Sequence, residues 1–129
     1  MNVQISDHFD AIESRLIASP AVVEFNILIQ EIMPDDGKIR IRATLVDGGL
    51  LELFEYVVQV GEGLELRKYR FHWQNAGGKL LRRWDNAPHY PDLPNAPHHV
   101  HLADGSVEPV SRPPDALSMI EVVETRLLS

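Results

Sequence analysis

Five of the six histidines, His72, His89, His98, His99 and His101, fall between residues 72 and 101, beside both tryptophans. Histidine is the side chain whose unperturbed proton equilibrium lies near neutrality, so a cluster of them could supply both an acid and a base to one site. The same stretch is locally basic. Arg67, Lys68, Arg70, Lys79, Arg82 and Arg83 stand between residues 67 and 83 with no acid among them, +6 within a chain whose net charge is −7. A basic strand pair beside aromatics can hold phosphates by charge and bases by stacking, which points to RNA as a partner. The plainer use of such arginines is to keep a sheet edge soluble and unpaired. Metal-free RNA cleavage needs a base for the ribose 2′-hydroxyl proton, an acid for the leaving oxygen and cations around the phosphate. The candidates for this chemistry are His72, Arg83, Asp85, His89, His99 and His101, with Asp85 orienting a histidine. Arg70, Arg82, Trp84, Asn86 and His98 are candidates for binding.

His99 and His101 flank one residue, and in an extended segment such a pair points to one side, where it could chelate a metal with His89, His72 or Asp85 as third ligand. No HExxH or other full ligand motif accompanies the pair, so acid–base use is preferred and no cofactor is expected. The absence of cysteine excludes disulfide frameworks, thiolate zinc sites, iron–sulfur ligation and cysteine nucleophiles. Pro88, Pro91, Pro94 and Pro97 recur every third residue, the period of polyproline II, and predict a stiff extended segment that holds its flanking histidines in place. A proline-motif ligand for an SH3-like partner is the alternative. Taken one at a time, each histidine, His8 included, is more ordinary as a hydrogen-bonded or solvated residue.

At 129 residues, 44% hydrophobic and 24% charged, the chain has the size and balance of one globular domain, residues 1–129. A net charge of −7 excludes a surface that is basic all over. The first residues lack a basic and then apolar leader, and no apolar run approaches the roughly 18 residues of a membrane span, so a cytoplasmic protein without membrane contact is expected. Ser6 is placed to cap a helix with Phe9, Ile12, Leu16 and Ile17 on one face, stopped by Pro20. Alternation marks strands over Val22 to Met33, with Val23, Phe25, Ile27 and Ile29 inward, and over Lys38 to Val46, with Ile39, Ile41, Ala43 and Leu45 inward. Between them Asp35-Asp36-Gly37 reads as a three-residue loop with Gly37 at positive φ.

Leu50 to Val60 is apolar on both faces and reads as a central strand. Leu64 to Gln74 and Lys79 to Asn86 follow, and an even-length turn between them would put Trp84 with Tyr69, Phe71 and Trp73, and Arg83 and Asp85 with Arg70 and His72. An odd-length turn would part the site. After the proline loop, a short extended Val107 to Val110 segment leads to a helix with Pro113 and Pro114 in its first turn and Leu117, Ile120, Val123 and Leu127 as its stripe. The expected fold is α+β: an antiparallel five- to six-stranded meander sheet with an N-terminal and a C-terminal helix packed on one face. A homodimer is the alternative cover for the apolar face.

Tyr69-Arg70-Phe71-His72-Trp73, then Arg83-Trp84-Asp85-Asn86-Ala87-Pro88-His89, then Pro97-His98-His99-Val100-His101 resembles the pattern of the TumE-like family, small prokaryotic toxins of toxin–antitoxin pairs. The resemblance covers about a quarter of the chain closely. It implies a growth-inhibiting activity and a DNA-binding helix-turn-helix antitoxin as partner. It implies no settled chemistry, so the roles given to the motif residues rest on their types. The leading expectation is a metal-independent ribonuclease. A metal-dependent hydrolase and a non-catalytic protein-binding module are its rivals.

Overall fold

The structure, a computed structural model, describes residues 2–129. Helix α1 (Val3–Ala18) is followed by seven strands, β1 (Val22–Ile32), β2 (Asp36–Leu45), β3 (Leu50–Val60), β4 (Gly63–Gln74), β5 (Leu80–Asp85), β6 (His99–Leu102) and β7 (Val107–Pro109), and by helix α2 (Ala116–Leu128). The strands form one antiparallel sheet in chain order, as connections too short for parallel crossovers require everywhere except between β5 and β6, where the long proline segment intervenes. Seven strands replace the five or six expected, because the His99 segment pairs with β5 as β6 and the Val107 segment pairs with β6 as β7. Among the described residues no helix is long and apolar enough to cross a membrane.

One face of the sheet is apolar. Ile41 opposes Leu53, Leu53 opposes Phe71, Phe71 opposes Trp84 and Trp84 opposes Val100, so one row of buried side chains crosses five strands. Both helices lie on this face. Helix α1 buries Ile5, Phe9, Ile12 and Leu16, and α2 buries Ala116, Met119, Ile120 and Val123. Glu55 points inward from β3 at 1% exposure and joins the two helices to the sheet. It accepts from the Ala116 N–H at 2.7 Å and meets His8 Nε2 at 2.6 Å.

Several local expectations need correction. Helix α1 starts one turn before Ser6, because Asn2 caps it by accepting from the Ile5 N–H at 3.0 Å. Ile5 thereby joins the buried stripe, while Ile17 is 71% exposed. The β1–β2 connection is a tighter turn than expected, closed by the Met33 N–H on Asp36 O at 2.8 Å, and Gly37 lies within β2 opposite Ile32. Its lack of a side chain serves close packing instead: a Cβ there would fall 2.7 Å from Ile5 Cγ2. Edge strand β1 carries two register shifts, so Phe25 and Ile27 face inward but Val23 is exposed and Ile29 opposes Arg40 on the other face. Helix α2 begins after both prolines, with Asp115 and Ser118 forming a capping box.

The proline segment is not extended. Leu93 N–H donates to Tyr90 O, Ala96 N–H to Leu93 O and His98 N–H to Asn95 O, a chain of tight turns that polyproline II, with no internal hydrogen bonds, cannot contain. Asn95, at φ 60, ties the turns to the chain beyond β7 through Nδ2 bonds to Val110 O and Ser111 O.

Candidate functional site

Position of the site depends on a compensated register. The β4–β5 turn has odd length, since the Asn75 N–H bonds Lys79 O at 2.9 Å around Ala76, Gly77 and Gly78, with Gly78 at φ 85. Alone, this turn would send Arg83 and Asp85 to the helix-covered face. A register shift follows at once: Gln74 pairs with Leu80 but Trp73 pairs with Arg82, which leaves Leu81 as the extra residue of a bulge and restores parity. Arg70 then opposes Asp85, and Asp85 opposes His99. His72 opposes Arg83, and Arg83 opposes His101. These residues share the outer face, the one away from the helices.

There Asp85, His99 and His101 converge. His99 Nε2 is 2.9 Å from Asp85 Oδ1, His101 Nε2 is 3.3 Å from Asp85 Oδ2, and the two Nε2 atoms are 3.2 Å apart. Asp85 is 8% exposed and His99 1%. His99 is held by its Nδ1 donating to Pro97 O at 2.8 Å, and Asp85 by the Ala87 N–H on Oδ1 at 3.0 Å. Tyr90 sets its ring edge-on to His99, with centroids 4.8 Å apart. Burial and the charge of Arg83 hold His101 below the usual histidine range despite Asp85 beside it, which favours a neutral ring with a free lone pair. One histidine, one carboxylate and one further histidine, each offering an atom within 4.8 Å of the others, are also a set that could hold a metal ion.

The cluster opens into a cleft of about 330 Å³ whose walls include Lys68, Arg70, Arg83, His89, Tyr90 and His101. Arg83 Nε lies 3.9 Å from Asp85 Oδ2. Lys68 and Arg70 form no ion pair among the described residues and are exposed, so three cations face one opening.

Of the residues singled out in the sequence, the structure gathers Arg70, Arg83, Asp85, His89, His99 and His101 at this cleft. The others stand apart. His72 shares the face but bonds Gln74 Oε1 at 2.8 Å and lines a separate hollow with Arg42 and Glu52. Arg82 lies beside Trp73 and Arg126 on the helix side. Trp84 is packed in the core at 8% exposure. Asn86 clips the end of β5 to β4, accepting from the Tyr69 N–H at 3.1 Å and donating to Arg67 O at 3.0 Å. His98 stacks on Tyr69 and bonds its hydroxyl at 2.9 Å; burial lowers the His98 pKa, and burial with the Asp85 charge raises that of Tyr69. Four residues that line the cleft, Lys68, Tyr69, Ala87 and Tyr90, were not among the candidates. Lys68 was legible as the i−2 neighbour of Arg70 on one strand face. Tyr90 sits in an irregular turn that no periodicity could orient.

No curated protein and no solved structure matches the chain. The family model described as Toxin TumE matches residues 12–127, a span that holds every strand and all of Asp85, His99 and His101, and the chain therefore belongs to the TumE toxin family.

Proposed function

We propose that the protein is the toxin of a toxin–antitoxin pair and that it acts by cleaving RNA in the outer-face cleft. The observation that carries this reading is the juxtaposition of Lys68, Arg70 and Arg83 with the buried Asp85–His99–His101 cluster. Three cations at one opening suit a phosphodiester, and Arg83 can add the planar fork that fits phosphate oxygens. In the reaction the ribose 2′-oxygen loses its proton and bonds to phosphorus while the bond to the 5′-oxygen breaks. That oxygen takes up a proton, leaving a 2′,3′-cyclic phosphate and a free 5′-hydroxyl. The cluster is the centre that activates the attacking oxygen, and His89, an exposed residue on the wall of the same cleft, delivers the second proton. Tyr90 offers a ring edge against which a base or the histidines can be held. The partner that restrains this activity is a DNA-binding helix-turn-helix antitoxin.

Expression without the antitoxin should arrest growth, and purified protein should convert an RNA oligonucleotide to fragments with cyclic phosphate ends. His89→Ala, at an exposed position, should slow cleavage by about a hundredfold or more while the fold persists. Arg83→Lys keeps the charge and loses the fork, so a comparable loss there assigns phosphate clamping to Arg83. If the protein arrests growth but RNA stays intact and both variants are as toxic as the parent, the ribonuclease reading is wrong and the cleft serves protein binding.

A further inference from the structure

We propose that Asp85, His99 and His101 bind one divalent first-row transition-metal ion, zinc being the ion that best suits the donor set. The carbonyl oxygen of Pro97 can only accept, so its 2.8 Å contact places the His99 ring proton on Nδ1. In the neutral ring Nε2 is then a bare lone pair. It faces two further electron-rich atoms, Asp85 Oδ1 at 2.9 Å and His101 Nε2 at 3.2 Å, while His101 Nε2 stands 3.3 Å from Asp85 Oδ2. With the His101 proton on Nδ1, three lone pairs meet in a place where His99 is 1% exposed, and a cation between them would relieve their repulsion.

The separations lie near those of such an ion, with Asp85 presenting one oxygen to each histidine. Ligand atoms about 2.0–2.1 Å from a tetrahedral centre stand about 3.3 Å apart. Two imidazoles and a carboxylate are a donor set that zinc accepts, whereas magnesium takes oxygen ligands and keeps its water. The supporting contacts are those that metal ligands need: Pro97 O fixes the ring of His99, and the Ala87 N–H orients the Asp85 carboxylate. Three protein ligands leave a fourth position, and the cleft into which His101 and Asp85 open, beside Arg83, is where that position would meet solvent or a phosphate. The site lies in the cleft assigned above to RNA, but it rests on ligand geometry and stands or falls separately from that assignment.

The test uses the full chain, stripped with chelator, dialysed and titrated calorimetrically with zinc chloride. One equivalent should bind. Asp85→Asn and His101→Ala should each weaken binding at least about a hundredfold with circular dichroism unchanged, and His72→Gln should bind as the parent does. Should either ligand variant unfold, cobalt(II) added to the parent gives a second reading: intense visible bands of a low-coordinate ion support the site, and the faint spectrum of hydrated cobalt opposes it. No binding, or binding that survives both Asp85→Asn and His101→Ala, overturns the proposal and leaves a carboxylate shared by two histidines through protons. Zinc binding without RNA cleavage would remove the ribonuclease reading and keep the metal site. Full-rate cleavage by a chain that binds no zinc would do the reverse.

Discussion

Two buried carboxylates decide much of this molecule, and they do different work. Asp85 faces two histidines on the outer face, whereas Glu55 is enclosed between the sheet and both helices, accepting from the Ala116 N–H and from His8. The hydrogen bond to Glu55 raises the His8 pKa above its ordinary 6.5, against the opposing effect of burial. A raised folded-state value means that the protonated pair stabilises the fold fully below the unfolded-state pKa and that this contribution is lost as pH climbs through the folded-state value. The parent's melting temperature minus that of His8→Ala should therefore be constant below about pH 6.5 and shrink above it. A difference that grows with pH would contradict this pairing. Subtraction is needed because His98 and His101, lowered by burial, contribute in the opposite sense. At this scale the spacing of His99 and His101 was legible, since alternate residues of a strand share a face. Glu55 was not, because one acid in an apolar strand carries no mark of the two donors that satisfy it.

Elements bring these side chains to their places by small irregularities. Leu81, the extra residue of the β5 bulge, cancels the odd-length turn before it. Its deletion should leave Arg83 and Asp85 on the outer face, whereas one alanine inserted between Arg82 and Arg83 should send Arg83 and Asp85 to the helix side and Trp84 to the other. The expected outcome of the insertion is a chain that fails to fold or one without the cleft, seen as loss of the Trp84 fluorescence environment together with all cluster chemistry. Replacing Leu81 by Val keeps the bulge and should leave the site unchanged. The start of α2 offers a milder test. Asp115 accepts from the Ser118 N–H at 2.8 Å, and Asp115→Ala should lower unfolding free energy by about 1 kcal/mol in a denaturant titration without altering the cleft. Period reading located every long strand and both helices, because one face of each had to be apolar. Caps, turn lengths and bulges escaped it, since they are settled by single hydrogen bonds such as Asn2 to Ile5 and Met33 to Asp36.

The whole molecule is a sheet with one face covered by helices and the other left to present charge. Net charge is −7, yet Lys68, Arg70 and Arg83 gather at one cleft, so binding of single-stranded RNA should be local and strongly salt-dependent. Neutralising three phosphates predicts that affinity falls about a hundredfold for a tenfold rise in salt, and Lys68→Ala should reduce the logarithmic slope by about 0.7. Binding that ignores salt would place the contacts elsewhere. Membership of the TumE toxin family implies an antitoxin partner in general terms.

By itself the amino-acid order determined the α+β architecture, the order of strands and the candidate residues of the cluster. Short connections, alternation of apolar side chains and the types of the residues are local properties, written along the chain. Tertiary structure alone decided that Asp85 rather than His72 or His89 joins His99 and His101. That choice depended on a turn and a bulge whose effects on strand parity cancel, and on tight turns in the proline segment that carry Tyr90 back over the histidines. Parity is a sum over the whole path between two strands, and each irregular turn is stabilised by partners distant in sequence. Such quantities have no local mark, so they become visible only when the sheet is closed and the loop is laid across it.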